Sequence, residues 1–346
     1  MAGEAAAQLN FLMRPLAKWL NDPATEELCI NQPGELFVRQ RGQFRRETVP
    51  LDYFDLEDIA TLAGALRKQD VGPRNPLCAT ELPGGERLQI CMPPSVPAGT
   101  MSMTIRKPGS SVSPLASVTG RYQTGRWNKW EGRKETVMRD YGELLALYDA
   151  GDLHAFLEKA VQAKLTILLC GATGSGKTTM SKTLIGAIPP EERLITIEDT
   201  LELVIPQPNH VRLLYSKDNI GLSRVTAESL LQASLRMKPD RILLQELRDD
   251  AAWTYINEVV AGHPGSITTI HGSNPEQAFK RLFALVKGSP QGGQWDDQTL
   301  MSFLASAVDL IVPFHNEGAF YEIREVWFAA DAKRRGETAS NLLMAA

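Results

Sequence analysis

The sequence predicts an α/β protein built from two domains of different texture. Residues 1–107 consist of short strands and amphipathic segments broken by Pro and Gly, which is typical of an α+β domain with an antiparallel sheet. From residue 143 onward strands alternate with helices, and this pattern predicts a mostly parallel sheet covered on both faces. A length of 346 residues is enough for two domains, and 43% hydrophobic residues indicate a globular chain.

The N-terminal domain, residues 1–107, is predicted from turn signals between apolar segments. The stretch LCINQPGELFVRQRGQFRRETV, residues 28–49, predicts three strands joined by a Pro-Gly turn and a second Gly turn. LEDIATLAGALRKQD, residues 56–70, has apolar residues at helical spacing and a basic end. Residues 86–94 and 100–108 alternate apolar and polar side chains, which predicts two more strands.

The segment 108–142 is predicted to be a linker, because it is rich in Gly, Ser and Thr and has no sustained apolar period. Basic and aromatic residues alternate within it: Arg121, Tyr122, Arg126, Trp127, Lys129, Trp130, Arg133 and Lys134. Such a pattern can contact an anionic membrane surface or stack on single-stranded nucleic acid. Trp and Arg are also typical of protein interfaces, so docking against a neighbouring domain is the alternative.

The second domain is predicted over residues 143–346. A helix over 143–163 precedes the buried strand LTILLC and the helix GKTTMSKTLIGAI, which ends before Pro189. The strands RLITIED, DRILLQE and SITTIH follow, separated by the helices AESLLQASLRM and DAAWTYINEVVAG. The helix PEQAFKRLFALVKG ends at Gly288. This alternation predicts a parallel sheet.

Composition excludes several classes of protein. The net charge of −4 gives no electrostatic reason to expect a dedicated DNA or RNA binder. The N-terminus lacks the positive-then-apolar layout of a signal peptide. The apolar stretch FLASAVDLIVPF is too short to span a bilayer and contains Asp309, so we expect a soluble protein.

The cysteines are expected to be buried small hydrophobic residues in a reducing compartment. No pair of them has Cys-x-x-Cys spacing, and a structural zinc site needs tighter clustering than theirs. They are Cys29, Cys78, Cys91 and Cys170.

The octet GATGSGKT, between a predicted strand and a predicted helix, indicates a triphosphate site. Its glycines allow the backbone amides to curl around an anion at the helix N-terminus. Lys177 is expected to reach the β- and γ-phosphates, and the Thr178 hydroxyl to bind Mg²⁺. The candidate nucleotide-binding residues are Gly171, Thr173, Gly174, Ser175, Gly176, Lys177, Thr178 and Thr179.

Acidic residues follow two other predicted strands. Glu198, Asp199 and Glu202 lie at or just after the end of LITIE, where a parallel sheet opens onto its ligand crevice. A carboxylate there can orient or deprotonate the water that attacks the γ-phosphate, or it can simply cap the following turn. Asp240 and Glu246 flank the strand RILLQ, and Glu246 can hold Mg²⁺ through water.

Two histidines occur near the strand SITTI. His271 follows its carboxyl end, where a ring donor can touch the γ-phosphate and respond to its loss. His263 precedes the strand and is interpreted as structural. The two lie too far apart along the chain to form a His-Glu-x-x-His zinc site.

Taken together, these motifs resemble the secretion ATPase superfamily, and most closely the hexameric traffic ATPases of bacterial type IV secretion and conjugation systems. The stretches are GATGSGKTT, ITIEDTLEL, LRMKPDRILLQELR and GHPGSITTIHGSNPEQAFKRL, with GGERLQICMPPSVPAGTMSMTIRKP in the N-terminal half. The resemblance implies a RecA-like P-loop fold for the C-terminal domain. It also implies hydrolysis of ATP with Mg²⁺.

The resemblance assigns roles to individual residues. Lys177 matches the phosphate-loop lysine, and Thr178 matches the magnesium-binding threonine. Glu202 matches the glutamate that the family treats as catalytic, with Glu198 as the alternative. Glu246 matches the Walker B glutamate, although Gln245 stands where relatives usually have Gly.

Three further residues are assigned in the same way. His271 matches the histidine of the family's "His box". Arg87 and Arg106 match two arginines by which the N-terminal domain reaches the bound nucleotide, a task that suits the forked donors of guanidinium. ATP would then bridge two domains, and hydrolysis would free them to rotate. The long linker also allows an N-terminal domain to lie over a neighbouring subunit.

The resemblance implies a homohexamer that works with other secretion-system ATPases and inner-membrane components. The expected location is the cytoplasmic face of the bacterial inner membrane, with peripheral membrane contact through the linker and no sequence-specific nucleic-acid binding. The alternatives are a pilus assembly, pilus retraction or type II secretion ATPase, a RecA-type nucleic-acid motor, a small-molecule kinase and a non-hydrolysing scaffold. Assembly ATPases of the pilus and type II branch commonly carry a four-cysteine zinc insert, and this sequence has no such cluster.

Overall fold

The computed structural model describes residues 2–108, 141–216, 222–249, 251–260, 262–318 and 320–337. The α/β class is confirmed, since an antiparallel sheet forms in the N-terminal part and parallel strands form in the C-terminal part. The domain boundaries and the linker stay predictions. The eight basic and aromatic linker residues lie outside the described residues.

The N-terminal strands form an antiparallel sheet in the order β3-β2-β1-β6-β5-β4. Their bounds are β1 (Thr25–Ile30), β2 (Glu35–Gln40), β3 (Gln43–Thr48), β4 (Leu77–Glu81), β5 (Arg87–Cys91) and β6 (Ser102–Arg106). The three strands predicted over 28–49 are β1, β2 and β3. Gly34 and Gly42, in the turns between them, adopt φ angles of 79° and 80°, which Gly reaches without steric cost.

Helices pack against this sheet. They are α1 (Ala2–Leu12), α2 (Ala17–Leu20) and α3 (Tyr53–Leu66). The predicted helix α3 begins at a capping box in which Asp52 and Asp55 each accept the other's backbone N–H. Leu9 of α1, Leu56 of α3 and Ile105 of β6 lie in one buried apolar core. This core gives the N-terminal sheet its own hydrophobic support.

The C-terminal strands form two parallel ladders. The strand bounds are β7 (Ile167–Gly171), β8 (Leu194–Glu198), β9 (His210–Leu214), β10 (Arg241–Leu244), β11 (Ile267–Ile270), β12 (Leu310–Glu317), β13 (Phe320–Glu322) and β14 (Trp327–Phe328). One ladder runs β10-β8-β9, and the other runs β11-β7-β12, with β13 and β14 antiparallel to β12. The Leu247 N–H donates to the Thr269 carbonyl at 2.8 Å, which connects the ladders beyond β10. The carboxyl ends of β7, β8, β10 and β11 therefore share one edge.

The C-terminal helices cover both ladders. Their bounds are α4 (Gly142–Ala150), α5 (Leu153–Gln162), α6 (Lys177–Gly186), α7 (Ala227–Ser234), α8 (Ala251–Thr254), α9 (Pro275–Gly288), α10 (Asp297–Ala307) and α11 (Ala329–Arg334), with a π-helical segment at Tyr255–Val260. The single helix predicted over 143–163 is wrong. Gly151 adopts a φ of 70° and ends α4, and Asp152 caps α5 by accepting from the Ala155 N–H at 3.1 Å.

Arg193 connects the two halves of the chain. Its side chain is fully buried, and its Nη1 donates to Asn31 Oδ1 of the N-terminal part at 2.8 Å. Its Nε donates to the Met237 carbonyl of the C-terminal part at 2.9 Å. At the edge strand β9, the Leu214 N–H donates to the Ser95 carbonyl at 2.8 Å. The N-terminal sheet therefore packs against its own chain beside β9.

Candidate nucleotide site

The phosphate loop connects β7 to α6 and depends on three glycines. Gly171, Gly174 and Gly176 have φ angles of 157°, 76° and 94°, which L side chains rarely adopt. A Cβ atom on Gly171 would also lie 2.6 Å from the Phe314 carbonyl oxygen of β12. Thr173 is exposed, and the N–H groups at the start of α6 face this loop. Local sequence and one close contact therefore set the shape of an anion site.

Lys177 is the first residue of α6, and its side chain folds back over the loop. Nζ donates to the carbonyl oxygens of Gly171 at 2.8 Å and Ala172 at 2.7 Å. Burial lowers the pKa of Lys177, while the neighbouring carboxylate of Glu246 acts in the opposite direction. The ammonium is thus held at the loop, within electrostatic reach of a carboxylate.

The C-terminal hairpin of β12 and β13 supports the loop from the side. Asn316 Nδ2 donates to the Gly174 carbonyl at 3.1 Å, across a separation of 142 residues. A ring carbon of Tyr321 lies 3.3 Å from the position that a Cβ on Gly176 would occupy. Sequence analysis missed this support, because it comes from residues far along the chain.

The donor set at the start of α6 fits Mg²⁺ bound together with a triphosphate. Thr178 is half-buried in the first turn, and Thr179 beside it is exposed. Ser175 Oγ is buried and has no hydrogen-bond partner among the described residues. Mg²⁺ usually takes one or two protein ligands and completes its shell with phosphate oxygens and water. The described residues contain no group of three or more His, Cys, Asp or Glu side chains arranged as a metal cage.

Glu198 is the last residue of β8, and its side chain is fully buried. Its carboxylate accepts hydrogen bonds from Thr196 Oγ1 at 2.8 Å and from the backbone N–H groups of Glu202 and Leu203 at 2.9 and 2.8 Å. Arg212 of β9 adds two more, at 3.0 and 2.9 Å. This carboxylate therefore fixes the loop after β8 and has little capacity left for a ligand.

Glu202 lies in that loop, and its side chain is exposed. Its backbone N–H is held by Glu198, as described above, so the main chain is anchored. Its Oε2 accepts a hydrogen bond from Gln245 Nε2 at 3.0 Å. The carboxylate is thus oriented from one side and open to solvent on the other. A group of this kind can accept a proton from water.

Glu246 follows β10 and lies among basic side chains. His271 Nε2 lies 3.0 Å from Glu246 Oε1, and Arg248 pairs with Glu246 Oε2 while reaching Asp199 Oδ2 at 3.4 Å. Burial acts to raise the pKa of Glu246, but the hydrogen bond and charge of Arg248, together with His271 and Lys177, hold that pKa below its usual value. Glu246 is therefore a carboxylate at neutral pH.

The predicted catalytic residues thus lie around one edge of the sheet. His271 follows β11 directly, and Glu246 and Glu202 follow β10 and β8. Lys177 begins the helix after β7, as predicted.

Arg87 and Arg106 lie elsewhere. They face each other in register on β5 and β6, and they line a cleft of about 720 Å³ that also includes Leu235 and Arg236. Leu235 and Arg236 follow α7 and lead to the amino end of β10, whereas the phosphate loop follows the carboxyl end of β7. In the part of the chain that the structure describes, this cleft contains no phosphate-loop residue. The two arginines are not brought to the phosphate loop of their own chain.

Two other sequence candidates have structural contacts. Asp240 Oδ2 accepts from the Arg193 backbone N–H at 2.8 Å, at the amino end of β10. His263 Nδ1 lies 3.2 Å from the Pro239 carbonyl, and burial lowers the pKa of His263. All four cysteines are buried and free, in agreement with the prediction of burial.

Sequence analysis missed Arg212, Arg248 and the contact of Gln245. The strand HVRLL gives a signal for Arg212, because a charged residue within an apolar strand needs a partner. Arg248 follows Glu246 by two residues, but only the turn after β10 brings their charges together. No local pattern predicts where the Gln245 amide points.

A phosphate loop beside carboxylates and a histidine, at the carboxyl edge of a parallel sheet, defines a P-loop nucleoside triphosphatase. Residues 137–314 match the family model described as Type II/IV secretion system protein. The chain is 66% identical over 340 residues to protein VirB11 of Agrobacterium fabrum, covering 98% of this chain and 99% of that protein. It is 40% identical over 337 residues to the type IV secretion system protein VirB11 of Bartonella quintana, covering 95% of each.

The chain therefore belongs to the VirB11 family of type IV secretion ATPases, and the resemblance seen in the sequence motifs is confirmed. The fold agrees. The crystal structure of the VirB11 ATPase from the Brucella suis type IV secretion system, in complex with sulphate, superposes with a TM-score of 0.88 at 41% identity. The match covers 96% of this chain and 98% of that chain. None of the described helices has both the length and the apolar character needed to cross a bilayer.

Proposed function

We propose that this chain hydrolyses ATP with Mg²⁺ in a homohexameric ring, and that ring movements power substrate translocation or pilus assembly in a bacterial type IV secretion system. The observation that carries this proposal is the grouping of Lys177, Glu202, Glu246 and His271 at one edge of the sheet. A kinase would need a bound acceptor, whereas the exposed carboxylate of Glu202 is suited to water.

In this proposal the backbone N–H groups of the phosphate loop bind the β- and γ-phosphates. Lys177 exchanges the carbonyl oxygens of Gly171 and Ala172 for phosphate oxygens, which are stronger acceptors for a partly desolvated ammonium. Thr178 would hold Mg²⁺ through its hydroxyl, and Glu246 would hold the ion through water. The ion, when bound, neutralises charge that develops on the phosphates.

Glu202 is assigned the role of orienting and deprotonating the attacking water. Its backbone is fixed by the buried Glu198, while its carboxylate faces solvent. Glu246 is less suited to this role, because Arg248 pairs with its Oε2 and its Oε1 is buried beside His271, away from solvent. His271 is assigned to the γ-phosphate, where it would lose a partner after hydrolysis and pass that change to Glu246.

Arg87 and Arg106 are proposed to bind the nucleotide of a neighbouring subunit. The cleft that they line is open, and the phosphate loop of their own chain does not contribute to it among the described residues. A γ-phosphate held by Lys177 of one subunit and by these arginines of the next would bridge the two. Its release would loosen the subunit boundary and let the ring change shape.

The proposed location is the cytoplasmic face of the bacterial inner membrane, as a peripheral component. Partners are proposed to be other secretion-system ATPases and inner-membrane components, and sequence-specific nucleic-acid binding is not part of the proposal. The predicted basic and aromatic linker would supply the membrane contact.

Mixed rings test this proposal. Lys177→Ala subunits and Arg87→Ala/Arg106→Ala subunits are each expected to lack ATPase activity in homogeneous rings. In a ring with both kinds of subunit, some boundaries pair an intact phosphate loop with an intact arginine pair, so activity should return. Measurement is steady-state phosphate release from co-expressed, doubly tagged rings whose subunits are counted by electron microscopy.

Inactive mixed rings of confirmed composition would show that the arginines do not act across the boundary. Full activity of the Lys177→Ala ring would overturn the nucleotide site itself. A particle with a subunit count other than six would remove the homohexamer from the proposal.

A further inference from the structure

Gln245 has a backbone that is fixed on both sides. It follows the last residue of β10, and its N–H donates to the Ile197 carbonyl of β8 at 3.0 Å. Its carbonyl accepts a hydrogen bond from Thr269 Oγ1 of β11 at 2.8 Å. The position of the Gln245 Cα atom is therefore fixed by contacts with two neighbouring strands. Only the side-chain torsions remain to decide where the amide lies.

The Gln245 amide contacts the acidic loop after β8 through both of its ends. Oε1 accepts from the Asp199 backbone N–H at 3.2 Å, and Nε2 donates to Glu202 Oε2 at 3.0 Å. The amide has one chemically sensible orientation, since the backbone N–H can only donate and the carboxylate can only accept. The two contacts thus fix the NH₂ end of the amide next to the Glu202 carboxylate.

Glu202 depends on this contact more than its neighbours do. Its side chain is exposed, and its hydrogen bond within the described residues comes from Gln245. Glu198 anchors the Glu202 main chain but does not contact its carboxylate. An exposed glutamate has several rotatable bonds, so an unpaired carboxylate would sample many positions.

We infer that Gln245 is a positioning residue that holds the carboxylate of Glu202 in the orientation needed to act on the attacking water. This inference rests on the proposed catalytic role of Glu202. Gln245 does not touch the nucleotide in this scheme. It connects the loop after β8 to the end of β10, which holds the Glu202 carboxylate at a fixed position relative to Glu246, the residue that follows Gln245.

The test replaces the amide without changing the size of the side chain. Gln245→Met cannot donate or accept as an amide does, and we expect kcat to fall about tenfold with KM for ATP within about twofold, the pattern of an interaction used in the transition state. Gln245→Glu keeps an acceptor for the Asp199 N–H but puts a second carboxylate beside Glu202, so its kcat should fall further. Activity of Gln245→Glu should partly recover at lower pH, when the added carboxylate binds a proton.

A matched control is available in the same domain. Gln232 Nε2 donates to Glu258 Oε2 at 3.0 Å, a glutamine–glutamate contact far along the chain from the acidic loop. Gln232→Met removes a hydrogen bond of the same kind, and its kcat should equal that of the unmodified chain. Thermal unfolding of all variants checks that they remain folded.

The double variant separates this inference from the proposed function. When Gln245→Met is added to Glu202→Gln, we expect no further loss of single-turnover rate, because the amide acts through Glu202. A further tenfold loss would overturn the inference, as would an unchanged kcat of both Gln245 variants. Normal turnover by Glu202→Gln alone would instead overturn the assignment of Glu202, whatever the Gln245 variants do.

Discussion

Glu198 is the last residue of β8 and Glu202 lies four residues further along the chain, yet the fold gives them opposite environments. Glu198 is fully buried, and its carboxylate accepts hydrogen bonds from two side chains and two backbone N–H groups. Glu202 is exposed, and Gln245 is the donor that contacts its carboxylate within the described chain. The Glu198 carboxylate has its oxygens occupied by hydrogen bonds within the protein, whereas the Glu202 carboxylate can still accept a hydrogen bond from water.

The role of a carboxylate therefore depends on its free lone pairs as much as on its place in a motif. A base must offer an oxygen to water, and an oxygen already accepting strong hydrogen bonds cannot do so readily. Glu198 supports catalysis indirectly, because it holds the main chain of Glu202. Of these two acidic residues, Glu198 holds the loop after β8 in place, and Glu202 keeps a carboxylate that is accessible to water.

The largest expected effect is on turnover by Glu202→Gln. The amide keeps the size of the side chain and an acceptor for Gln245 but cannot take a proton from water. A positioned base typically contributes about 10²–10⁴-fold, so kcat should fall by that factor while ATP still binds. Steady-state phosphate release and binding of a fluorescent ATP analogue measure the two properties. Normal turnover would move the catalytic role to Glu246 or Glu198.

Glu198→Ala should act on stability instead. It leaves Arg212 without its carboxylate and the backbone N–H groups of Glu202 and Leu203 without an acceptor, and removal of one partner of a buried ion pair costs about 3–5 kcal/mol. Because Arg212 keeps some exposure, we expect the lower end of that range. Glu202→Gln serves as the control, with a free energy of unfolding within about 0.5 kcal/mol of the unmodified chain. Denaturant unfolding measures both, and equal stabilities of the two variants would contradict the comparison.

The smallest expected effect is on the pH dependence of the rate, through Glu246. Like Glu198, Glu246 is paired with an arginine, and like Glu202 it lies at the candidate nucleotide site. Arg248 helps to hold the pKa of Glu246 below its usual value, so Arg248→Ala should raise that pKa. The acid limb of the rate–pH profile should then move to higher pH, with a smaller change in rate at alkaline pH. A parallel loss of rate at every pH would contradict this cause.

The same shift predicts how stability depends on pH. Because the pKa of Glu246 is depressed in the folded chain, its stabilising contribution is complete above the unfolded value of about 4.3 and is lost as pH falls through the folded pKa. The stability difference between the unmodified chain and Arg248→Ala should therefore shrink on acidification. Denaturant midpoints at several pH values measure it.

Much of the fold follows from local sequence, and the errors have local physical causes. The strands from 28 to 49 were predictable because their turns contain Gly34 and Gly42, which take the positive φ that such turns require. The helix predicted over 143–163 is two helices, because Gly151 takes a left-handed conformation and Asp152 starts a new cap.

The candidate site was predictable to a different degree at each residue. The order of strands and helices placed Lys177, Glu246 and His271 at the carboxyl edge of a parallel sheet, and the fold has them there. The location of Arg87 and Arg106 could not be predicted from the sequence, because it depends on how the N-terminal sheet packs beside β9.

The conformation of the phosphate loop follows from local sequence, since it depends on glycines, a lysine and a helix start that are close together in the chain. The family followed from the same motifs. Three features of the site depend on tertiary packing. They are the hydrogen bonds that occupy the Glu198 carboxylate, the direction of the Gln245 amide, and the cleft that Arg87 and Arg106 line. Those outcomes depend on contacts between residues distant in sequence, such as Glu202 with Gln245, and no local pattern encodes the packing that brings them together.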